Sequence, residues 1–278
     1  MSNKERLLFG TAGIPRWPRE LSTQDGIERI HELGLGCMEV EFVRGVDMSP
    51  ETAQAVGETA AAQGIKLSAH APYFLNLNSQ DPKKVAASHQ RILRTARITS
   101  IFGGDCVVFH PAFYMNNEPS EVYDTVKNHL EHIAAQLWEE GNWVLLRPEV
   151  MGKASAFGTI DEILELSAEL DGVAPAIDFA HWHARTGKAN SYNEFMKILK
   201  RIEAKLGRYA LDTMHIHVSG IDYGPRGERK HLILEDSDFN YFDLMRALKD
   251  RDVGGRLICE SPNREEDALL LQQVYFKL

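Results

Sequence analysis

Eight short apolar segments alternate with amphipathic segments along the chain, and this alternation most constrains the fold. The strand-like segments are RLLFGTAGI, GCMEVEFV, IKLSAHAPY, DCVVFHPAF, WVLLRPEV, APAIDFAH, MHIHVSG and RLICESP. Between them lie segments of helical period such as PETAQAVGETAAAQG. About eight strand–helix units in 278 residues are typical of a (β/α)8 barrel. We therefore predict an α/β fold with a single TIM barrel domain over residues 1–278. An open doubly wound sheet is the alternative, which the even spacing disfavours.

Capping residues agree with the predicted helices. Ser49 followed by Pro50 is typical of an N-cap and a first helical residue. Thr159 with Glu162 three residues later forms the pattern of a capping box. Glycines stand where three helices are predicted to end, at Gly64, Gly104 and Gly207. These signals support separate helices between the strands.

Charge and cysteine content limit the class of protein. The formal net charge of -9 argues against a surface that is basic throughout, although not against a local basic groove. Cys37, Cys106 and Cys259 each stand alone in apolar segments, so a disulfide framework or a zinc knuckle is not expected. The segment MSNKERLLFG lacks an apolar leader, and no apolar run is long enough to span a membrane. We expect a cytoplasmic protein.

Polar residues recur where the predicted strands end. These residues are His70, His110, Glu149, Asp178, His217 and Glu260. His181 follows Asp178 by three residues, and His231 lies in the long connection IDYGPRGERKHLILEDSD, which is typical of an active-site loop. In barrels of this kind the active site lies at the carboxyl ends of the strands. Histidine and carboxylate side chains bind zinc and similar metals.

Each of these residues also has an ordinary structural interpretation. A single histidine at a strand end can form a structural hydrogen bond, Glu149 or Glu260 can form a salt bridge, and Asp178 can cap the next helix. Buried charges are costly unless they are paired or bound to metal, and the coincidence at successive strand ends favours a metal site. We expect Glu41 to support a metal-bound histidine.

The remaining histidines are expected to be structural. We expect surface positions on helices for His89, His129 and His132, and a core hydrogen bond for His215. His183 lies near His181 but is displaced along the loop, so its role stays open.

The chain resembles the endonuclease IV family of zinc-dependent apurinic/apyrimidinic endonucleases, which are built on a xylose-isomerase-like barrel. The resemblance covers essentially the whole chain in the motifs HAPYFLNLNS, HPAFY, IDFAHWHA, HIHVSG and CESP. It implies two or three zinc ions per chain, with manganese as the alternative ion. By motif, the first ion would take His70 and His110, with Glu149 bridging to a second ion held by Asp178, His217 and Glu260. His181 and His231 would hold the third ion.

Two departures from the family pattern affect these assignments. The family's fifth strand ends in E-N-T-A-G, whereas this chain has RPEVMGK, so Glu149 aligns only with a one-residue gap. The family's D-R-H loop motif is replaced by Arg229-Lys230-His231. Arginine cannot bind a cation, so we predict that Glu228 completes the third site. The alternative is a two-metal enzyme in which Arg229 pairs with the scissile phosphate.

The resemblance implies hydrolysis of the DNA phosphodiester 5′ to an abasic site, with removal of blocked 3′ ends by the same site. Glu149 and Glu260 would be the catalytic carboxylates, and double-stranded DNA with abasic sites would be the substrate. Arg44, Tyr73, Phe74 and Arg229 would contact the DNA. The alternatives are a hydrophobic lid for Tyr73 and Phe74 and an ordinary exposed cation for Arg44.

Other functions and partners complete the predictions. The runner-up function is a metal-dependent sugar isomerase or epimerase, which needs one metal and fewer histidines. A third is a metal-bound DNA-binding protein with little catalysis. We expect a monomer without a membrane or protein partner.

Overall fold

The computed structural model describes residues 7–16 and 21–278. Its strands are β1 (Leu8–Ala12), β2 (Cys37–Glu41), β3 (Lys66–His70), β4 (Cys106–Phe109), β5 (Ala112–Phe113), β6 (Leu145–Pro148), β7 (Ala156–Phe157), β8 (Ala176–Asp178), β9 (Met214–Val218), β10 (Gly220–Gly224), β11 (Gly227–Leu232) and β12 (Gly255–Cys259). Its helices are α1 (Thr23–Glu32), α2 (Pro50–Gln63), α3 (Pro82–Ile101), α4 (Pro119–Glu139), α5 (Ile160–Glu169), α6 (Phe179–Thr186), α7 (Tyr192–Leu206), α8 (Arg208–Asp212), α9 (Tyr241–Asp250) and α10 (Glu265–Lys277). Residues 1–6, which begin the segment MSNKERLLFG, lie outside the described residues.

Eight parallel strands form the barrel that the sequence predicts. Their hydrogen-bonded order is β6–β4–β3–β2–β1–β12–β9–β8, and every neighbouring pair is parallel. The ring closes between β6 and β8, where the Val150 N–H donates to the Ala176 carbonyl and the Ala174 N–H donates to the Leu146 carbonyl, both at 3.0 Å. The closed arrangement confirms the barrel and excludes the open doubly wound sheet.

The barrel strands are buried on both faces. All residues of β4 and β9 are buried, because side chains fill the barrel interior and helices cover its outside. Phe9 and Phe109 are among the largest fully buried side chains. Burial of such a side chain stabilises the fold by about 1.5–3 kcal/mol. This packing gives the carboxyl ends of the strands fixed positions.

The helix ends follow the sequence signals closely. Ser49 caps α2 by accepting from the Thr52 N–H, and Thr159 forms the predicted capping box with Glu162 at the start of α5. Gly64 takes the left-handed conformation after α2. After α3 the positive φ of 75° falls on Gly103, one residue before the glycine expected from the sequence. Within residues 7–16 and 21–278, no helix is both long and apolar enough to cross a membrane.

A β-hairpin occupies the connection after β9, which the sequence predicted to be an active-site loop. Strands β10 and β11 pair antiparallel, with an irregularity between Asp222 and Tyr223. The hairpin packs on the segment after β6, where a Cβ at Gly227 would lie only 2.1 Å from the Gly152 carbonyl oxygen. Glycine permits this close backbone approach, which brings β11 over the barrel mouth.

Candidate metal centre

The strand ends place the predicted ligands at one end of the barrel. His70 and Asp178 are the last residues of β3 and β8, and His217 lies within β9. His110 and Glu149 directly follow β4 and β6, and Glu260 directly follows β12. Because all these strands are parallel, their carboxyl ends face the same side. The six side chains therefore share the barrel mouth.

One group of ligands joins His70, His110 and Glu149. The Nε2 atoms of His70 and His110 lie 3.4 and 3.0 Å from the Glu149 Oε2 atom. The two imidazole rings are edge to face, with centroids 5.1 Å apart. His70 and Glu149 are buried, whereas a quarter of the His110 side chain is exposed. This group can hold one cation that is reached from the mouth.

A second group lies on the other oxygen of Glu149. The His217 Nδ1 atom lies 3.5 Å from Glu149 Oε1 and 3.4 Å from Glu260 Oε1. His181 Nδ1 lies 3.0 Å from Glu149 Oε1 and 3.3 Å from Asp178 Oδ2. Asp178 also accepts the His181 backbone N–H at 2.6 Å, so it caps α6 as well. Glu149 is thus shared between the first and second groups.

A third group forms where the hairpin meets α6. The Nε2 atoms of His181 and His231 lie 3.1 Å apart, and Glu228 Oε2 lies 3.6 Å from the His181 Nε2 atom. Arg229 instead has a side chain that is 61% exposed and lies 3.6 Å from Asp222. The structure therefore brings Glu228, and not Arg229, to His181. It also places a carboxylate oxygen of Glu260 within 4.8 Å of ligand nitrogens of both histidines.

Orphaned polar atoms show that this mouth suits cations. Four buried ligand atoms have no hydrogen-bond partner within the described residues: Glu149 Oε1, Asp178 Oδ2, His217 Nδ1 and Glu260 Oε2. A buried polar atom without a partner costs about 1–3 kcal/mol, so native proteins rarely leave several together. The donor set of imidazole nitrogen and carboxylate oxygen matches that of zinc sites. The residues fit metal ions.

The electrostatics of the site also call for positive charge. Burial raises the pKa of Glu260 to about 8 and that of Asp178 to about 6. Burial would also raise the pKa of Glu149, but the positive charge of His110 and the other surrounding histidines hold that pKa well below its usual range. Without cations, the buried carboxylates can be neutralised only by protons on themselves or on the histidines.

Three histidines have their Nε2 atoms directed to the centre by backbone carbonyls. The Nδ1 atom of each ring faces a backbone carbonyl oxygen. These contacts are His70 with Ala71 at 2.8 Å, His181 with Val150 at 3.1 Å and His231 with Glu260 at 3.3 Å. A carbonyl only accepts, so Nδ1 carries the hydrogen and Nε2 of the neutral ring has a free lone pair. Such partners orient metal-binding histidines.

The residues predicted to contact DNA lie at the rim. Phe74 is 66% exposed, and Tyr73 is partly exposed with its ring 5.1 Å from the ring of His70. The Tyr73 hydroxyl donates to Glu41 Oε2 at 3.2 Å. Arg44 is exposed on the loop after β2. Tyr73 is therefore tied to the mouth, whereas Phe74 projects from it.

The other histidines stand apart from the three groups. His183 contacts the Lys188 carbonyl and Asp238. His89 and His129 are half-buried and pair with each other at 2.9 Å between α3 and α4, and His132 is exposed. Their separation from the mouth agrees with the structural roles expected for His89, His129 and His132, and it gives His183, whose role the sequence left open, a structural contact as well.

Sequence analysis missed Glu39 and chose Glu41 as the supporting carboxylate. The fully buried Glu39 lies 3.0 Å from His217 Nε2 and 2.9 Å from His215 Nε2, whereas the hydrogen bond formed by Glu41 is to Tyr73. Both glutamates lie on one face of β2 because side chains alternate along a strand. The two glutamates at alternate positions of the segment MEVE were the available signal, but they did not show which glutamate reaches β9 across the barrel.

Comparisons with known proteins agree with this fold. Residues 27–275 match the family described as Xylose isomerase-like TIM barrel. The chain belongs to the xylose isomerase-like TIM barrel family. It is 43% identical, over the full length of both chains, to Uncharacterized protein MJ0133 of Methanocaldococcus jannaschii. It is 25% identical to Probable endonuclease 4 of Mycoplasma pneumoniae, over 64% of this chain and 62% of that protein.

Solved structures of the xylose isomerase-like family share the barrel. Endonuclease IV from Thermus thermophilus matches with a TM-score of 0.74 at 18% identity, over 96% of this chain and 98% of that chain. A D-tagatose 3-epimerase-like protein matches with a TM-score of 0.72 at 19% identity, over 96% of both chains. The xylose-isomerase-like fold and the resemblance to endonuclease IV, both predicted from the sequence, are confirmed.

Proposed function

We propose that the protein is a metal-dependent hydrolase that cuts the DNA phosphodiester 5′ to abasic sites and removes blocked 3′ ends at the same site. The observation that carries this proposal is the position of Glu149. Its two oxygens lie within 3.5 Å of ring nitrogens from four histidines, so one buried carboxylate joins two groups of ligands. A one-metal enzyme has no need of such a shared carboxylate.

The assignment of residues to ions follows the three groups. His70, His110 and Glu149 would hold the first ion, and Glu149, Asp178, His217 and Glu260 the second. His181, His231 and Glu228 would hold the third. When bound, paired zinc or manganese ions supply a nucleophile from water at neutral pH and stabilise charge on the attacked phosphate. Glu149 and Glu260 would face that phosphate as the catalytic carboxylates.

The rim offers a phosphate-binding surface in spite of the acidic net charge. A cavity of about 320 Å³ beside the hairpin is lined by Lys153, Arg226, Arg229 and Glu228, among others. Three of these four residues are cationic, so this surface can pair with the DNA backbone. Arg44 adds an exposed cation on the loop after β2. These contacts would position the strand over the ligand groups.

Phe74 supplies a means of recognising an abasic site. An abasic nucleotide has no base to unstack, so turning it out of the duplex costs less than turning out an intact nucleotide. An apolar side chain can then fill the gap and hold a bent duplex. Phe74 is the most exposed aromatic side chain of the HAPYF segment. Tyr73 would support it from the mouth.

A second candidate function is sugar isomerisation or epimerisation. Glu149, Asp178, His217 and Glu260 alone form a one-metal set that suits such an enzyme. His70, His110, His181 and His231 exceed that set, and they favour the nuclease.

Cleavage of a duplex that carries one synthetic abasic site tests the proposal. We expect incision 5′ to the site with a 3′-hydroxyl product, complete loss of cleavage with chelator, and recovery with zinc or manganese. His132→Gln, which changes an exposed histidine of α4, is the matched control and should cleave normally. Specific binding without cleavage at saturating metal would indicate a DNA-binding protein, and epimerisation of ketoses without cleavage would indicate the second candidate.

A further inference from the structure

We propose that Glu39 is a positioning residue that holds His217 with its Nδ1 atom facing the metal centre. The inference rests on the proposed metal-dependent function and concerns a residue on β2 that none of the three ligand groups contains. It assigns Glu39 an effect on the affinity for one ion, through His217.

His217 is oriented differently from the other histidines of the centre. Its Nδ1 atom faces Glu149 and Glu260, whereas His70 presents Nε2 to Glu149, and His181 and His231 present Nε2 to each other. Nδ1 of His181 also lies 3.0 Å from Glu149 Oε1, but its hydrogen can go to the Val150 carbonyl. No backbone carbonyl faces its other nitrogen among the contacts of the described residues. Instead, His217 Nε2 lies 3.0 Å from Glu39 Oε1. Glu39 Oε1 has no hydrogen-bond partner elsewhere in the described residues, so it is available to accept the hydrogen of this ring.

The surroundings of Glu39 favour an ionised carboxylate that only accepts. Ser68, its neighbour in the paired strand β3, donates from Oγ to Glu39 Oε2 at 2.7 Å. His215 Nε2 lies 2.9 Å from the same oxygen, and His215 Nδ1 lies 3.5 Å from Cys106 Sγ. A buried carboxylate with several donors around it is stabilised in its charged form.

The Nε2 atoms of His215 and His217 lie close together beside Glu39. The Nε2 atoms of His215 and His217 lie 3.2 Å apart and can hydrogen-bond to each other if one ring accepts, and each also lies within 3.0 Å of a different oxygen of Glu39. Two N–H groups can share this space only with an acceptor that offers an oxygen to each. The carboxylate satisfies that requirement, so Nε2 of His217 keeps its hydrogen and Nδ1 keeps a lone pair for metal.

Glu39→Gln tests the requirement for two acceptor oxygens. The amide has nearly the same shape but offers one acceptor and one donor, so one histidine must change its tautomer or orientation. We expect the affinity for one zinc ion to fall about 10- to 100-fold, as is typical when such a supporting partner is changed. Competition between zinc and a coloured chelator measures the affinity, and circular dichroism of the metal-free variant verifies the fold.

Two matched variants separate positioning from other roles. Ser68→Ala removes a donor from Glu39 without touching either histidine, and we expect its zinc affinities to stay within about threefold of the wild type, well below the change expected on loss of a supporting partner. His215→Gln leaves the contact between Glu39 and His217 and should bind as many zinc ions as the wild type. Loss of a whole zinc equivalent in His215→Gln would show that Glu39, His215 and His217 themselves bind a cation, and it would overturn the proposal.

Nitrogen-15 spectra of the histidine rings in the zinc-loaded wild type give a test that needs no variant to fold. The proposal expects a hydrogen on Nε2 of His217 and zinc on Nδ1. Zinc on Nε2, or an unchanged zinc affinity in Glu39→Gln, would contradict it. Zinc binding that follows this pattern in a protein that does not cleave DNA would overturn the proposed function alone.

Discussion

At the scale of single residues, the candidate metal centre depends on buried carboxylates that lack enough protein partners. Glu149 is fully buried and lies next to four histidines, and one of its oxygens has no hydrogen bond within the described residues. Glu260 and Asp178 likewise each have an orphaned oxygen. Removing one partner from such a buried set leaves the others uncompensated. Substitutions at these residues should therefore act on several ligands together.

Glu149→Gln should reduce the metal content by two equivalents and abolish cleavage, because the residue joins the first and second groups. Asp178→Asn should weaken mainly the second ion. Elemental analysis after dialysis against zinc, together with the cleavage assay, measures both effects. Near-normal cleavage by Glu149→Gln would show that the bridging ligand is wrongly assigned.

Phe74→Ala should weaken the preference for abasic over intact duplex without changing the zinc content. Stacking of an aromatic ring is worth about 1–3 kcal/mol per base, so the preference should fall about 5- to 150-fold. Phe242→Ala is the matched control, because it removes an exposed phenylalanine from α9. Competition binding between labelled duplexes decides the matter, and an unchanged preference would assign Phe74 to a lid.

At the scale of elements, the hairpin β10–β11 completes the third group. It packs on the segment after β6, where the Glu228 N–H donates to the Gly152 carbonyl at 3.1 Å. A Cβ at Gly152 would lie 2.7 Å from Glu228 Cβ and 2.9 Å from its Oε2. Gly152 thus leaves the space in which the Glu228 carboxylate approaches His181.

Gly152→Ala should displace Glu228 and weaken the binding of the third ion. Glu228→Ala should weaken it to a similar extent, and the double variant should lose little more, because both changes remove the same ligand. Chelator competition measures the zinc affinities of the two single variants and the double variant, which together form a double-mutant cycle. Additive losses would mean that Gly152 acts by another route.

At the scale of the whole molecule, the proposed ligands come from most strands of the barrel and from the hairpin. Bound metal should therefore stabilise the entire fold, because the ligands are brought together in the native chain and are dispersed in the unfolded chain. An ion at 100 times its dissociation constant adds about 2.7 kcal/mol.

Zinc should accordingly raise the unfolding temperature by several degrees, since about 1 kcal/mol shifts a chain of this size by about 2–4 °C. Calorimetry with zinc and with chelator measures this shift. Glu149→Gln should lose most of the zinc-dependent increase, and His132→Gln should keep it. An equal increase in Glu149→Gln would place the stabilising zinc outside the centre.

The sequence predicts the barrel and the group of strand-end residues well, because periodicity and the position of polar residues at strand ends are local signals. Glu39 illustrates the contacts between distant strands that the sequence does not show. In the middle of a strand it looks like any buried polar residue, and its contact with His217 crosses the barrel between strands β2 and β9, which are not neighbours in the sheet. The hairpin was missed because its glycines and charges are equally typical of a loop.

The most direct test of the account is an X-ray structure of the zinc-loaded protein with anomalous scattering recorded at the zinc edge. Three peaks are expected at the barrel mouth. One should lie among His70, His110 and Glu149, one among Glu149, Asp178, His217 and Glu260, and one among His181, His231 and Glu228. A single peak at the second position, with ordinary hydrogen bonds filling the other two, would contradict the multi-metal centre and favour a one-metal sugar enzyme.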